Sequence, residues 1–255
     1  MNEVKAKKFL GQHFLTDESV ARRIVESLSP DTTQLLEIGP GMGVLTKYLL
    51  ERAQTDFRAV ELDRESVAWL HSHYPSLQVI EGDFLKMDLD SLFTPPFSII
   101  GNFPYNISSQ ILFRVYECRN SVSEVVGMFQ KEVAERVAAK PGSKTYGILS
   151  VLLGAFYHIE YLFTVSESVF NPPPKVKSAV IRLLRNRVDS LPCDEVLFAR
   201  VVKAGFNQRR KTLRNALRSA SLPIEQTPES LLSKRAEQLS VEDFITLTQN
   251  IESCL

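Results

Sequence analysis

The chain of 255 residues is long enough for one large domain, or for a medium domain with a small appendage. Apolar residues make up 44% and charged residues 24%, which excludes disordered, collagen-like and coiled-coil chains. The 30 basic and 30 acidic residues cancel, so the net charge by itself does not point to a nucleic-acid partner.

Short apolar runs alternate with helix patterns over roughly the first 185 residues. A helix is predicted at about Glu18–Leu28, with Thr16 or Asp17 as its N-cap. The strand and helix patterns that follow alternate, which predicts an α/β fold with a parallel sheet covered on both faces. The predicted strands are Gln34–Gly39, Phe57–Leu62, Leu77–Glu81, Phe97–Gly101, Glu124–Phe129, His158–Val165 and Ser178–Leu184, and the helices among them are Leu45–Ala53, Ser66–His73 and Ser109–Tyr116.

The pattern changes after Leu184. The polar stretch Asn186–Pro192 is typical of a linker. Beyond it we predict only helices, and the last of them has Ser240 as N-cap and an imperfect capping box with Asp243. These helices are Asp194–Ala204, Arg209–Ala220 and Val241–Ile251. The sequence therefore predicts an α/β domain at 1–187 and a small all-helical domain at 188–255.

One segment of the neutral chain is strongly basic. Lys175 to Arg218 holds twelve Lys and Arg residues against three acidic ones, which leaves the rest of the chain with a net charge of −9. Such asymmetry is typical of a polyanion site, although a solvated helix face fits the charge equally well. The candidate RNA-binding residues are Lys175, Arg209, Arg210, Lys211 and Arg214, of which the last four fall within one and a half turns of a predicted helix.

Membrane, secretory and metal-binding classes find no support. The longest mostly apolar stretch, Ile148 to Phe156, is too short to span a bilayer, and no apolar run follows the N-terminal lysines. Cys118, Cys193 and Cys254 are far apart and form no C-x-x-C pair, so neither a disulfide framework nor a zinc site is expected. We expect a cytoplasmic protein without metal.

A glycine-rich turn, Glu37–Gly43, lies directly between the first predicted strand of the sheet and a helix. Gly39 and Gly41 let the backbone turn sharply and approach a ligand, which favours a nucleotide-like molecule over tight packing alone. Glu61, at the end of the next strand, is the candidate acceptor for two ribose hydroxyls. Asp63 competes for this role, but we expect it to cap the following helix.

The third predicted strand ends at a further acidic residue. Asp83 can accept a hydrogen bond from an exocyclic adenine amine while Phe84 packs on the ring. A plain turn is the alternative interpretation, and taken alone the motif slightly favours it. Nicotinamide enzymes do not require this third acid.

The fourth strand of the sheet ends in the run Asn102-Phe103-Pro104-Tyr105, which suits methylation of an aromatic amine. The Asn102 side-chain oxygen and the Phe103 carbonyl can accept both amine hydrogens and favour a pyramidal nitrogen. Pro104 fixes the turn, and Tyr105 offers a face on which an extracted base can stack. Catalysis would depend on orientation and charge stabilisation, because a sulfonium is already an activated electrophile. The alternative is a structural turn with a buried tyrosine.

Taken together, these motifs resemble those of the ribosomal RNA adenine N6-dimethyltransferases. The matching stretches, in chain order, are Phe9–Leu15, Glu37–Gly43, Glu61–Asp63, Gly82–Asp83, Asn102–Asn106, Phe170–Val176 and Phe206–Asn215. The resemblance implies a Rossmann-like class I methyltransferase sheet of seven strands, the last antiparallel, and S-adenosylmethionine as the cofactor. It implies that Gly39, Glu61, Asp83 and Asn102 line the cofactor site.

The resemblance also implies roles for three residues outside these strand ends. His13 and Leu15 would contact the cofactor, although His13 stands where the family commonly has Asn. Phe170 would close on the face of the target adenine opposite Tyr105, with a hydrophobic plug as the alternative.

The stretch Phe206–Asn215 resembles the small-subunit branch of the family. This implies dimethylation of two adjacent adenosines near the 3′ end of small-subunit rRNA, with the small ribosomal subunit or its precursor as partner and a role in its biogenesis. We expect a monomer. The alternatives are a large-subunit rRNA methyltransferase of the macrolide-resistance type, a non-catalytic RNA-binding assembly or transcription factor, and a nicotinamide dehydrogenase.

Overall fold

The computed structural model describes residues 4–52 and 55–255, without the side chain of Asp90. Contacts divide the chain into two compact units. The first consists of residues up to Ala134 together with Ile159–Arg185, and the second of Glu135–His158 together with Asn186–Leu255. The main difference from the predicted ranges 1–187 and 188–255 is that Glu135–His158 belongs to the second unit.

Within the described residues, seven strands form one sheet of the predicted kind. They are β2 (Gln34–Ile38), β3 (Asp56–Glu61), β4 (Gln78–Glu81), β5 (Phe97–Asn102), β6 (Val122–Gln130), β7 (Tyr157–Val165) and β9 (Ser178–Arg185), in the order β4-β3-β2-β5-β6-β9-β7. Strands β2 to β6 pair in parallel, and β9 pairs with β6 antiparallel, which confirms the sheet expected from the resemblance. Two strands of two residues, β1 (Phe14–Leu15) and β8 (Phe170–Asn171), form a separate antiparallel pair.

Burial on both faces explains why the central strands are continuous apolar runs. In β2, neighbouring residues Leu35 and Leu36 are both fully buried, as are Ile99 and Ile100 in β5. Because successive side chains of a strand point to opposite faces, both faces of the sheet are covered.

The helices of the first unit follow the predicted alternation. They are α1 (Glu18–Glu26), α2 (Thr46–Leu49), α3 (Arg64–His73), α4 (Ser108–Glu117) and α5 (Lys131–Val137), the last of which runs into the second unit. Asp17, and not Thr16, caps α1, because its carboxylate accepts the N–H groups of Ser19 and Val20. Helix α2 is shorter than the predicted Leu45–Ala53, and Ala53 lies outside the described residues.

The second unit is helical, as predicted for the C-terminal part of the chain. Its remaining helices are α6 (Ile148–Gly154), α7 (Glu195–Asn207), α8 (Leu213–Ser219), α9 (Glu229–Leu232) and α10 (Val241–Glu252). Ser240 and Asp243 exchange hydrogen bonds with each other's backbone at the start of α10, so the imperfect capping box is formed. Among the described residues, no helix is both long and apolar enough to cross a membrane.

The prediction of one helix over Arg209–Ala220 is wrong at its start. Helix α7 continues to Asn207, and the chain then turns, with the Lys211 N–H donating to the Gln208 carbonyl. Thr212 is extended and α8 begins only at Leu213, which is fully buried. The helix thus begins at a buried residue whose N–H donates to the Lys234 carbonyl, and Arg209, Arg210 and Lys211 lie in the turn before it.

Candidate active site

A cavity of about 370 Å³ lies at the carboxyl ends of β2 to β5, where an open α/β sheet binds its ligand. Its volume suits a nucleoside-sized molecule. Gly39, Gly41 and Gly43 all have positive φ, so the turn after β2 needs glycine to bring its backbone along the wall. The predicted residues that line the cavity are His13, Leu15, Gly39, Gly41, Glu61, Asp83, Phe84, Asn102, Phe103, Pro104 and Tyr105.

Glu61 is held firmly at the end of β3 by the backbone around it. Its Oε2 accepts the Gly41 N–H at 3.0 Å, and its Oε1 accepts the N–H groups of Leu62 and Asp63 at 2.9 Å each. Burial raises the pKa of Glu61 although these three bonds favour the charged form. Three of the four lone-pair sites of this carboxylate are thus taken, and the one that remains, on Oε2, can accept a ribose hydroxyl.

Glu37 is a buried acid at this site to which sequence reasoning gave no role. It is 1% exposed at the end of β2, and its Oε2 accepts the Thr46 hydroxyl at 2.6 Å. Burial, together with the neighbouring charge of Glu61, raises the pKa of Glu37 to about 8, although the Thr46 hydrogen bond acts in the opposite direction. Glu37 therefore holds a proton near neutral pH. An acid inside an apolar strand was the signal that could have revealed it.

Asp63 caps α3, as predicted, but it also anchors the N-terminal segment. It accepts the Glu65 N–H at 3.2 Å, the Lys7 ammonium at 2.5 Å and the Gln12 amide at 3.4 Å. Burial alone would raise the pKa of Asp63, but the bonds from Lys7, Gln12 and Glu65 outweigh it and leave the pKa below its usual value. Gln12 lines the cavity and Lys7 anchors the segment to Asp63, and sequence reasoning did not single out either residue.

We call residues Lys7–Leu15 the N-terminal strap, because Leu10 to Leu15 line the cavity and hydrogen bonds hold the segment at several points. The Asn106 amide donates to the Phe9 carbonyl at 3.3 Å, and His13 Nδ1 donates to the Pro172 carbonyl at 2.8 Å. The pairing of β1 with β8 fixes the strap's last two residues. The strap is therefore tied to the Asn102–Asn106 motif and to the proline-rich loop.

Asn102 has its amide orientation set by the strap. Its Nδ2 donates to the His13 carbonyl at 3.0 Å, which leaves Oδ1 as an acceptor for another donor. The Phe103 ring is 1% exposed and packs on Phe129, with ring centroids 4.9 Å apart. Phe103 thus anchors the motif through its side chain, while its carbonyl accepts no hydrogen bond from a described residue.

Tyr105 is oriented by two contacts. Its hydroxyl forms a hydrogen bond with the Ser178 hydroxyl at the start of β9, and its ring centroid lies 5.2 Å from that of His13. Burial raises the pKa of the Tyr105 hydroxyl, which therefore stays neutral. Ser178 is fully buried and was not found from the sequence.

Asp83 and Phe84 both line the cavity, but each also has a structural task. Asp83 Oδ1 caps a short 3₁₀ helix by accepting the Leu85 N–H at 3.0 Å, and Oδ2 lies 3.7 Å from the exposed Lys86 ammonium. Phe84 is buried to 4% exposure. The plain turn and the adenine-binding interpretation of this motif are thus compatible.

Phe170 is buried in the apolar core, next to the N-terminal strap. It is 4% exposed, belongs to the apolar core of the first unit and stands opposite Leu15 in the pairing of β1 with β8. It is absent from the cavity wall, whose described residues all precede Ser108. The role of closing on the adenine face opposite Tyr105 therefore stays a prediction, and burial of the ring in the core also fits the hydrophobic-plug alternative.

The basic candidates divide into paired and exposed residues. Arg209 bonds to Glu237 at 2.8 Å and to the Lys144 carbonyl, and Arg214 pairs with Glu229. Lys175, Arg210 and Lys211 are exposed. Two of the five predicted RNA-binding residues thus already have acidic partners within the second unit.

Comparison with known proteins identifies similar sequences and structures. A family model described as ribosomal RNA adenine dimethylase matches residues 3–253. The chain is 59% identical over 252 residues to ribosomal RNA small subunit methyltransferase A of Cytophaga hutchinsonii, covering 97% of this chain and 98% of the relative. A dimethyladenosine transferase from Plasmodium falciparum has a similar structure, with a TM-score of 0.77, 26% identity, and coverage of 94% of this chain and 98% of that one. The 23S rRNA methyltransferase ErmE has a TM-score of 0.72 at 25% identity, over 93% and 99% of the two chains.

Proposed function

The chain belongs to the ribosomal RNA adenine dimethylase family, and on that basis we infer that it transfers methyl groups from S-adenosylmethionine to the N6 amine of adenine in small-subunit rRNA. The observation that carries this inference is the Asn102–Tyr105 run at the end of β5, beside Glu61, in a chain 59% identical to a small-subunit methyltransferase. The enzyme is an S-adenosylmethionine-dependent rRNA adenine dimethyltransferase.

The cavity residues fit the cofactor by their chemistry. Glu61 offers the free lone pair of its buried Oε2 to a ribose hydroxyl, and Asp83 keeps a partly exposed oxygen for an adenine amine. We propose that these two acids and the backbone of the Gly39–Gly43 turn hold the cofactor, together with His13 and Leu15 of the strap. When bound, S-adenosylmethionine supplies the methyl group on an activated sulfonium.

The protein's part in the transfer is to present the target nitrogen. The N6 lone pair of adenine is delocalised into the ring, so the amine is a poor nucleophile. We propose that Asn102 Oδ1 and the Phe103 carbonyl accept its two hydrogens and favour a pyramidal, more nucleophilic nitrogen. The His13 carbonyl fixes the Asn102 amide, and the buried Phe103 ring fixes the carbonyl, so both acceptors are pre-oriented.

Tyr105 is the proposed stacking surface for the flipped adenine. Ser178 and His13 hold the ring in place, and Pro104 limits the backbone before it. Stacking needs the ring and not the hydroxyl, so Ser178 acts on orientation alone.

Sequence similarity separates the two rRNA branches. The chain is 59% identical to the small-subunit relative but 25% identical to the large-subunit enzyme of similar structure. The intact Asn102–Tyr105 run argues against a factor that has lost its chemistry.

Finer features of the substrate follow from the resemblance. We propose that the targets are two adjacent adenosines near the 3′ end of the rRNA, modified in the small subunit or its precursor during biogenesis. The exposed cations Lys175, Arg210 and Lys211 would contact phosphates. We propose that one chain acts alone in the cytoplasm, where small ribosomal subunits are assembled.

The test is to incubate separate small and large ribosomal subunits that lack the modification with labelled S-adenosylmethionine. Primer extension then locates the methyl groups. We expect label in the small subunit at two neighbouring adenosines near the 3′ end. Label only in the large subunit would favour the other branch, and no label in either would favour a non-catalytic factor.

A further inference from the structure

We propose that Phe9, in the N-terminal strap, stacks on a nucleobase of the rRNA next to the adenosine being methylated. Phe9 is 77% exposed, whereas most other phenylalanines of the described chain are buried. An aromatic ring left in water on a fixed segment is typical of a base-stacking surface. This proposal rests on the proposed function, because it specifies how that substrate is held.

The strap places Phe9 beside the cavity that receives the target. Its carbonyl accepts the Asn106 amide at 3.3 Å, and the next two residues, Leu10 and Gly11, are part of the cavity wall. Phe9 is thus the neighbour in sequence of a wall residue, and its backbone carbonyl is bonded to the motif that carries Tyr105. In the proposed complex, the nucleotide that adjoins the flipped adenosine lies at this rim.

The charges around Phe9 match a phosphate backbone. Lys7 turns inward to Asp63 and Glu65, with Nζ to oxygen distances of 2.5 and 3.1 Å, and so ties the strap down. Lys5 and Lys8 are exposed and form no ion pair with a described residue. An exposed ring that directly follows a segment with two unpaired cations combines base stacking with phosphate attraction, which a purely apolar protein contact would not need.

The expected effect of removing the ring follows from the strength of base stacking. Stacking on an aromatic side chain contributes about 1–3 kcal/mol per base, which corresponds to roughly 5-fold to 150-fold in affinity. Phe9→Ala should therefore weaken binding of unmodified small subunits at least about 5-fold, whereas Phe9→Trp should remain close to the parent. Phe9→Leu keeps an apolar side chain without a π-face and should behave like Phe9→Ala.

The experiment measures filter binding of unmodified small subunits at several salt concentrations, with Val196→Ala as the control because Val196 is 81% exposed in the other unit. Phe9→Ala should leave the salt slope unchanged, whereas Lys8→Gln should reduce it by about 0.7–0.9. Calorimetric affinity for S-adenosylmethionine should not change in the Phe9 variants.

Three results would overturn the stacking role. The first is that Phe9→Ala binds small subunits with the parent's affinity. The second is that Phe9→Leu does so, which would indicate an apolar protein contact. The third is that the Phe9 variants lose affinity for S-adenosylmethionine, which would indicate that Phe9 only holds the strap in place. In each of these cases the parent still methylates small subunits. A parent that transfers no methyl group to small subunits contradicts the proposed function itself.

Discussion

Replacing Glu37 by Gln should make the cofactor-free protein more stable at pH 8 and leave it about equally stable at pH 5. The carboxyl has an ordinary pKa of 4.5 and a folded pKa of about 8, because burial disfavours its charge. Between these values the folded protein keeps a proton that the unfolded chain has released. Stability therefore falls as the pH rises through this window.

The magnitude follows from the width of the window. While only the folded state holds the proton, each rise of one pH unit lowers the free energy of unfolding by about 1.36 kcal/mol. The window of about 3.5 pH units therefore corresponds to a loss of stability of about 5 kcal/mol at most. Gln has no charge to bury, and its side-chain oxygen can still accept the Thr46 hydroxyl. The variant should thus gain a few kcal/mol over the parent at pH 8.

Urea unfolding at pH 5, 6, 7 and 8, followed by circular dichroism, measures this difference. Subtracting the parent's free energy of unfolding from the variant's at each pH removes the contribution of all other titrating groups. Glu26→Gln is the matched control, because Glu26 is an exposed acid at the end of α1. A difference between Glu37→Gln and parent that is flat across this range would refute the reasoning.

Three further sets of substitutions test individual parts of the site. Glu61→Ala should weaken S-adenosylmethionine binding by about 1–3 kcal/mol, because charge-assisted hydrogen bonds are lost, and unchanged calorimetric affinity in a folded variant would remove Glu61 from the site. Gly127→Ala should lower the free energy of unfolding in urea by about 1–3 kcal/mol or more, because the added Cβ would lie 2.3 Å from the Phe103 ring. Gly154→Ala is the control and should be tolerated, because its added Cβ would lie 3.6 Å from the nearest atom. Tyr105→Phe and Ser178→Ala should each lower the single-turnover methyl-transfer rate slightly and show no additive loss when combined, while Tyr105→Ala should be severe; additive losses would contradict a shared hydrogen bond.

The elements of the sheet could be predicted because each strand carries its own signal. Runs such as Gln34–Ile38 and Phe97–Asn102 are short, apolar and bounded by turn residues, which is typical of central strands buried on both faces of a sheet. The two-residue strands β1 and β8 carry no such signal, since two residues show no periodicity. They exist only because Leu15 and Phe170 meet across the chain.

What the sequence could not predict depends on contacts between distant residues. The bond from Lys7 to Asp63 joins positions 56 residues apart, and nothing local distinguishes Lys7 from Lys8. Helix α8 begins at the buried Leu213, whose N–H donates to the Lys234 carbonyl, although the basic stretch before it has good helix propensity. Phe170 is adjacent to a proline-rich loop in sequence, yet its ring is buried in the apolar core of the first unit.

The central claim is that the cavity presents an adenine amine to the methyl donor through Asn102, and Asn102→Ala tests it most directly. Single-turnover methyl transfer to unmodified small subunits, measured together with subunit and cofactor binding, separates chemistry from affinity. Asn106→Ala is the control, because it removes the other amide bond to the strap but leaves the Asn102 oxygen. We predict that Asn102→Ala binds both partners and loses about 100-fold or more in transfer rate, with a much smaller loss for Asn106→Ala. A rate within a few-fold of the parent in Asn102→Ala would contradict the account.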